Sequence, residues 1–189
     1  MIIKQYQIKN TNLNKYNLYL LYGKNEGLQN EVISGKFLKN FKGELNRYDE
    51  NEFINNNETL ISEFYNKSLF DDEKIIIISR STDKIVKFIE TILKKSVDNV
   101  KIILKSGALE KRSKLRKLFE ENINFVCIPV YEDNSQTLNF ISREFFKLNK
   151  IAISQETINL LIERSRGDRG NLTNEFSKIE SYMKTNKKI

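Results

Sequence analysis

A pair of glycines stands in Tyr22-Gly23-Lys24-Asn25-Glu26-Gly27, a turn directly behind the apolar run Tyr16 to Tyr22. A phosphate-binding loop occupies such a place, and its G-x-x-x-x-G-K-[ST] pattern gives each position a task. The glycines let backbone N–H groups wrap the phosphates, the lysine reaches the outer phosphates, and the hydroxyl holds magnesium. Here Gly27 falls one position early and Leu28-Gln29 follow it, so neither the lysine nor the hydroxyl is in place. Lys24 stands at the start of the turn, away from that lysine's position. The acid that would bind magnesium is missing as well. The run Ile75 to Ile78 leads into Ser79-Arg80-Ser81, and the Val100 run into Lys105-Ser106-Gly107, neither with an Asp-Glu pair. Gly23 and Gly27 therefore read as a tight strand-to-helix turn without a ligand. The remaining alternative is an anion resting weakly on the helix N-terminus.

Other catalytic chemistry is narrowed by composition. The chain has no His, which removes Ser-His-Asp and Cys-His catalysis and nearly all zinc chemistry. Its one cysteine, Cys127, has no partner for an internal disulfide. No cofactor and no metal are expected.

Two further stretches carry binding potential. In Asn66-Lys67-Ser68-Leu69-Phe70-Asp71-Asp72-Glu73, an apolar pair stands ahead of three acids. Exposed, Leu69 and Phe70 would form an apolar anchor with a polar rim, the anatomy of an interface hot spot. Buried, they would simply cap the core at the entry to a strand. From Lys101 to Lys117, Lys101, Lys105, Lys111, Arg112, Lys114, Arg116 and Lys117 face one acid, Glu110. Such a run suits sequence-independent phosphate contacts. A solvated helix face, or one docking an acidic neighbour subunit, is the plainer reading. No aromatic is interleaved for base stacking.

The elements that must position these residues follow from apolar patterning. Five short runs, Tyr16 to Tyr22, Leu45 to Tyr48, Lys74 to Ser79, Val100 to Leu104 and Ile123 to Val130, read as strands, several buried on both faces. Helical spacing lies between them: Leu28, Val32 and Leu38; Leu60, Ile61, Phe64 and Tyr65; Ile85 through Leu93; Leu115, Leu118 and Phe119. This alternation predicts an α/β fold with a parallel sheet covered by helices. From Asn134 onward only helices are predicted, with Ser154 as an N-cap, Gly167 as a stop and Asp168 before the next start. The chain of 189 residues carries 32 Lys+Arg against 25 Asp+Glu, a mild excess favouring acidic partners. No run reaches the roughly 18 apolar residues of a membrane span, and the N-terminus has no signal-peptide pattern; a cytoplasmic protein is expected.

Four segments in series resemble the delta subunit of the bacterial DNA polymerase III clamp loader. They are Tyr19 to Gly23 with Glu26 and Leu28; Ser68-Leu69-Phe70 before the Ile75 to Ile78 run; Leu109 to Lys117; and Gly167-Asp168 through Lys178-Ile179. The last is slightly longer than the family's pattern. The resemblance implies an AAA+-like fold without functional ATP binding: a RecA-like five-stranded domain over residues 1–138 with a degenerate P-loop at Gly23 and Gly27, then a helical lid over 139–189. The family's C-terminal collar domain is expected to be absent. It further implies that Leu69 and Phe70, with Ser68, bind and open the sliding clamp (the beta subunit) during DNA replication. The other partners implied are the delta prime and tau/gamma loader subunits and primed DNA, with Lys111, Arg112, Lys114, Arg116 and Lys117 as a DNA or subunit contact. No intrinsic catalysis is implied; nucleotidyl transfer belongs to the polymerase holoenzyme. Two other readings remain open at this level: a divergent P-loop nucleotide-binding enzyme, and a basic nucleic-acid-binding module.

Overall fold

A computed structural model describes residues 1–8, 10–55, 73–93 and 100–185. Five strands form one parallel sheet: β1 (Leu18–Tyr22), β2 (Glu44–Asp49), β3 (Lys74–Ser79), β4 (Val100–Ser106) and β5 (Phe125–Pro129), in the spatial order β2-β3-β4-β1-β5. Each falls on one of the five apolar runs. The described helices are α1 (Glu26–Ile33), α2 (Glu50–Asn55), α3 (Val86–Leu93), α4 (Lys114–Glu121), α5 (Ser135–Leu148), α6 (Gln155–Arg164) and α7 (Arg169–Thr185). The fold class is α/β, as the alternation predicts.

Contacts divide the chain into two compact units. The first comprises Met1–Lys24 and Val32–Val130, the second Asn25–Glu31 and Tyr131–Ile189. In the first unit the sheet is covered on both faces, which is why its central strands are unbroken apolar runs. Register places Leu18 and Leu20 of β1 beside Ile102 and Leu104 of β4, and Ile76 of β3 beside Ile102. These side chains share one face with Phe53, Phe88, Ile89, Leu115 and Phe119 from the helices. Tyr19, Leu21, Ile75, Ile77 and Ile103 alternate with them and are buried too, so they point to the opposite face.

Two local devices shape the first unit. After α1 the chain widens into a π-helical turn, Ser34–Leu38. Its Phe37 ring meets Tyr19 edge-on, with centroids 4.7 Å apart. The Tyr19 hydroxyl donates to the Leu13 and Tyr16 carbonyls, which satisfies the one polar group of an otherwise apolar strand position. Near the β2 and β3 ends, buried Glu50 opens α2 and accepts from both the Thr82 N–H (2.6 Å) and hydroxyl (2.7 Å).

The second unit is helical. Asn134 caps α5 by accepting from the Thr137 N–H at 2.8 Å, and Ser154 caps α6 by accepting from the Thr157 N–H at 3.1 Å. Its core gathers Leu138, Phe146, Ile158, Leu172 and Phe176. Phe176 is stacked on Phe145 and edge-on to Phe146. Gly167, in the left-handed region at φ +69°, breaks the chain between α6 and α7, as its position in the sequence predicts. Asp168 then accepts from the Asn171 N–H at 2.7 Å and starts α7.

Candidate functional site

Gly23 belongs to the first unit and has no substitute there. Its φ of +139° lies outside the range of L side chains, and a Cβ would collide with the Val130 carbonyl. Its N–H is spent on the carbonyls of Ser106 (3.2 Å) and Gly107 (3.0 Å). Val130 in turn donates to the Tyr22 carbonyl at 2.8 Å, so β1 ends pinned between its two neighbours. The glycine serves close backbone packing, not an open cradle of amides.

The first turn of α1, in the second unit, is closed in a different way. A Cβ built on Gly27 would stand 2.5 Å from the Gly170 nitrogen, so the backbones of α1 and α7 touch at paired glycines. Asn25 supplies the N-cap: its Oδ1 accepts from the Leu28 N–H at 2.9 Å. Its amide then donates to the Tyr131 carbonyl (2.9 Å) and the Asp133 carboxylate (2.8 Å). Both glycines of the turn thus have structural duties, and the first turn of α1 lies against protein backbone at Gly170.

Arg169, the first residue of α7, completes the arrangement. Its side chain is 6% exposed and forks onto Asp133, itself 2% exposed: Nε donates to Oδ2 and Nη2 to Oδ1, each at 2.7 Å. Nη1 donates to Glu31 Oε2, also at 2.7 Å, on the wetter side, where Glu31 is 61% exposed. Burial alone would pull the guanidinium down, but the two carboxylates outweigh it and hold Arg169 above its ordinary pKa. The carboxylates also neutralise the arginine's own charge. Sequence reading did not find this cluster. Charged residues at three distant positions carry no signal that one of them is buried, and Arg169 stood out only as part of a motif of unusual length.

The basic run resolves into cations of different standing. Arg116 is engaged on three sides within the first unit. It donates to Glu120 Oε1 (2.8 Å) and the Leu109 carbonyl (3.1 Å), and it lies over the Tyr22 ring at 5.2 Å. Lys105 is buried. Lys101 reaches Glu73 at 3.4 Å, and Arg112 pairs with Glu110 at 2.6 Å. Lys111, Lys114 and Lys117 are exposed, the last two three residues apart on one face of α4. The N-terminus of α4 already holds an anion of the chain's own. Asp83 accepts from the Ser113 hydroxyl (2.6 Å) and the Leu115 N–H (3.0 Å), which keep its carboxyl below the usual range.

Ser68, Leu69 and Phe70 lie outside the described residues. Among the described residues no group of His, Cys, Asp and Glu has the makings of a metal site, and no helix is long and apolar enough to cross a membrane.

Comparison with solved structures identifies the architecture. The chain is similar to the Bacillus subtilis DNA clamp loader delta protein (YqeN), with a TM-score of 0.61 and 16% identity over 94% of this chain. The fold is AAA+-like. Domain III of the Thermotoga maritima replication initiation protein DnaA is similar over 97% of this chain and 82% of its own, with a TM-score of 0.53 and 13% identity. A replication initiator DnaA bound to AMPPCP and single-stranded DNA gives 0.51 and 15% over 96% of this chain and 59% of its own. The chain spans 56% of the length of the clamp loader delta protein. No protein-family model matches the sequence, and the comparison with curated proteins finds no match.

Proposed function

We propose that this AAA+-like chain is a clamp-loader delta-type subunit that grips the sliding clamp during DNA replication and hydrolyses no ATP itself. The observation that carries the reading is the closed first turn of α1. Gly27 lies against Gly170, and Arg169 is taken up by Asp133 and Glu31, on a loop that lacks the phosphate-binding lysine and the magnesium-binding hydroxyl. A nucleotide-hydrolysing module needs all of these features open or present. Similarity to a clamp loader delta protein supports the same reading from the fold.

The clamp contact falls to Leu69 and Phe70, with Ser68 leading into them, by the sequence resemblance. Burying two large apolar side chains is worth about 3–6 kcal/mol before association costs. That is enough to shift a clamp from closed to open when the open form presents the better pocket. Timing then comes from ATP-driven motion in partner subunits of the delta prime and tau/gamma kind. Primed DNA would meet exposed lysines such as Lys114 and Lys117, not Arg116. The test is binding of the chain to the sliding clamp of its own species, with ATP and DNA titrations alongside. Binding to the clamp without ATP supports the reading, and ATP hydrolysis by the chain alone contradicts it.

A further inference from the structure

The Arg169 cluster has a role that the clamp contact does not use. A buried guanidinium at the edge of a phosphate-loop-like turn is the group that would ordinarily meet an anionic ligand. Here its fork is filled by the chain's own acids. Asp133 takes two N–H groups and Glu31 a third, at 2.7 Å each. The same Asp133 Oδ2 accepts from Asn25, whose Oδ1 caps the Leu28 N–H. One continuous path of hydrogen bonds therefore runs from the start of α7 to the first turn of α1, with Gly27 against Gly170 beside it. The guanidinium is thus taken up by the chain's own carboxylates, and the Leu28 amide by the chain's own cap.

We propose that Asp133 and Glu31 act as a built-in anionic pseudo-ligand for Arg169, latching α7 to the first turn of α1 in the absence of any nucleotide. A latch of this kind makes the second unit's arrangement permanent, where a nucleotide-dependent one would come and go with ligand. The charge count explains why two acids are used. Asp133 neutralises the buried guanidinium, and the exposed Glu31 carries the excess negative charge that turns away phosphate. The inference rests on the same closed turn as the reading of a chain that hydrolyses no ATP; clamp binding is measured separately, so its loss leaves the latch standing.

The test uses the whole chain and inorganic pyrophosphate, with sodium chloride at matched ionic strength as the control. Thermal unfolding and hydrogen exchange at the Leu28 amide are the readouts. The unaltered chain is expected to show no shift in its unfolding midpoint with millimolar pyrophosphate. The double variant Glu31→Gln, Asp133→Asn keeps the guanidinium and removes both carboxylates; it is expected to unfold earlier and to recover when pyrophosphate is added. Arg169→Lys keeps the charge but gives up the fork, and the Leu28 amide is then expected to exchange about tenfold faster. Stabilisation of the unaltered chain by pyrophosphate would overturn the proposal, since Arg169 would then be open to ligands. So would a folded double variant indifferent to pyrophosphate, or unchanged Leu28 exchange in Arg169→Lys. Should the double variant fail to fold, the unaltered chain and Arg169→Lys decide the matter.

Discussion

The guanidinium of Arg169 meets the carboxylate of Asp133 in a two-pronged fork, both bonds 2.7 Å long and both side chains almost wholly buried. Burying two charges together is tolerable only because each satisfies the other. Removing one partner leaves an uncompensated charge and costs about 3–5 kcal/mol. Asp133→Asn leaves the buried guanidinium only the exposed Glu31 as counter-charge and is expected to lower the urea midpoint by up to that equivalent, while Glu31→Gln, at the exposed end of the same arginine, costs under about 1 kcal/mol. Equal effects from the two substitutions would mean the pair is not buried as described.

The glycines make a second contrast. Gly27→Ala drives a methyl to 2.5 Å from the Gly170 nitrogen, a backbone atom that cannot turn aside. The expected destabilisation is about 1–3 kcal/mol, as for overpacking elsewhere. Gly35 has nothing within 4 Å of its would-be Cβ, so Gly35→Ala is neutral or stabilising by up to about 1 kcal/mol. Denaturant unfolding of the two variants side by side checks the difference.

Acid sensitivity is expected at the start of α4. The Ser113 hydroxyl and the Leu115 N–H hold Asp83 below its ordinary value in the folded state. A depressed carboxylate contributes stability above the unfolded pKa of about 4, and loses it as pH falls through the lower folded value. Asp83→Asn therefore destabilises at pH 7, and the gap to the unaltered chain closes on acidification below about pH 4. Ser113→Ala removes the cap and costs about 1 kcal/mol. A stability-against-pH series for Asp83→Asn with a constant gap would contradict the assignment.

Cys127 lies in the centre of β5, and burial pushes its thiol up to about 12. The nucleophile is the thiolate, so an aromatic disulfide reagent at pH 8 is expected to leave the folded chain unmodified. It should titrate one thiol after denaturation. Reaction of the folded chain at the rate of a free thiol would show that β5 opens readily.

Arg116 and Lys117 are neighbours in sequence with opposite expected phenotypes. Arg116→Ala cuts loose Glu120, the Leu109 carbonyl and the Tyr22 ring, so it acts on stability. Lys114→Ala and Lys117→Ala leave stability unchanged. If DNA is bound here, each lowers the salt slope of binding by about 0.9, one phosphate contact. Fluorescence anisotropy over a salt series measures this directly.

Much of the fold was legible because its determinants are local. Unbroken runs such as Ile75 to Ile78 mark strands covered on both faces, and Ser154, Gly167 and Asp168 mark helix ends through their own backbone chemistry. The absence of a phosphate-binding lysine and hydroxyl was equally readable, since both are positional. What escaped was tertiary. Asn25, Glu31, Asp133 and Arg169 are ordinary polar residues in sequence, and only the crossing at Gly27 and Gly170 brings them together. The basic run is another case of tertiary context. Seven cations counted alike until structure gave Arg116, Lys101 and Arg112 carboxylate partners and buried Lys105.

The central claim is tested most directly by titrating the chain against its own species' sliding clamp, beside the double variant Leu69→Ala, Phe70→Ala, with circular dichroism to establish that both are folded. A dissociation constant in the micromolar range or tighter is expected without ATP, and its loss in the folded double variant. Failure of the intact, folded chain to bind the clamp, or undiminished binding by the double variant, would contradict it.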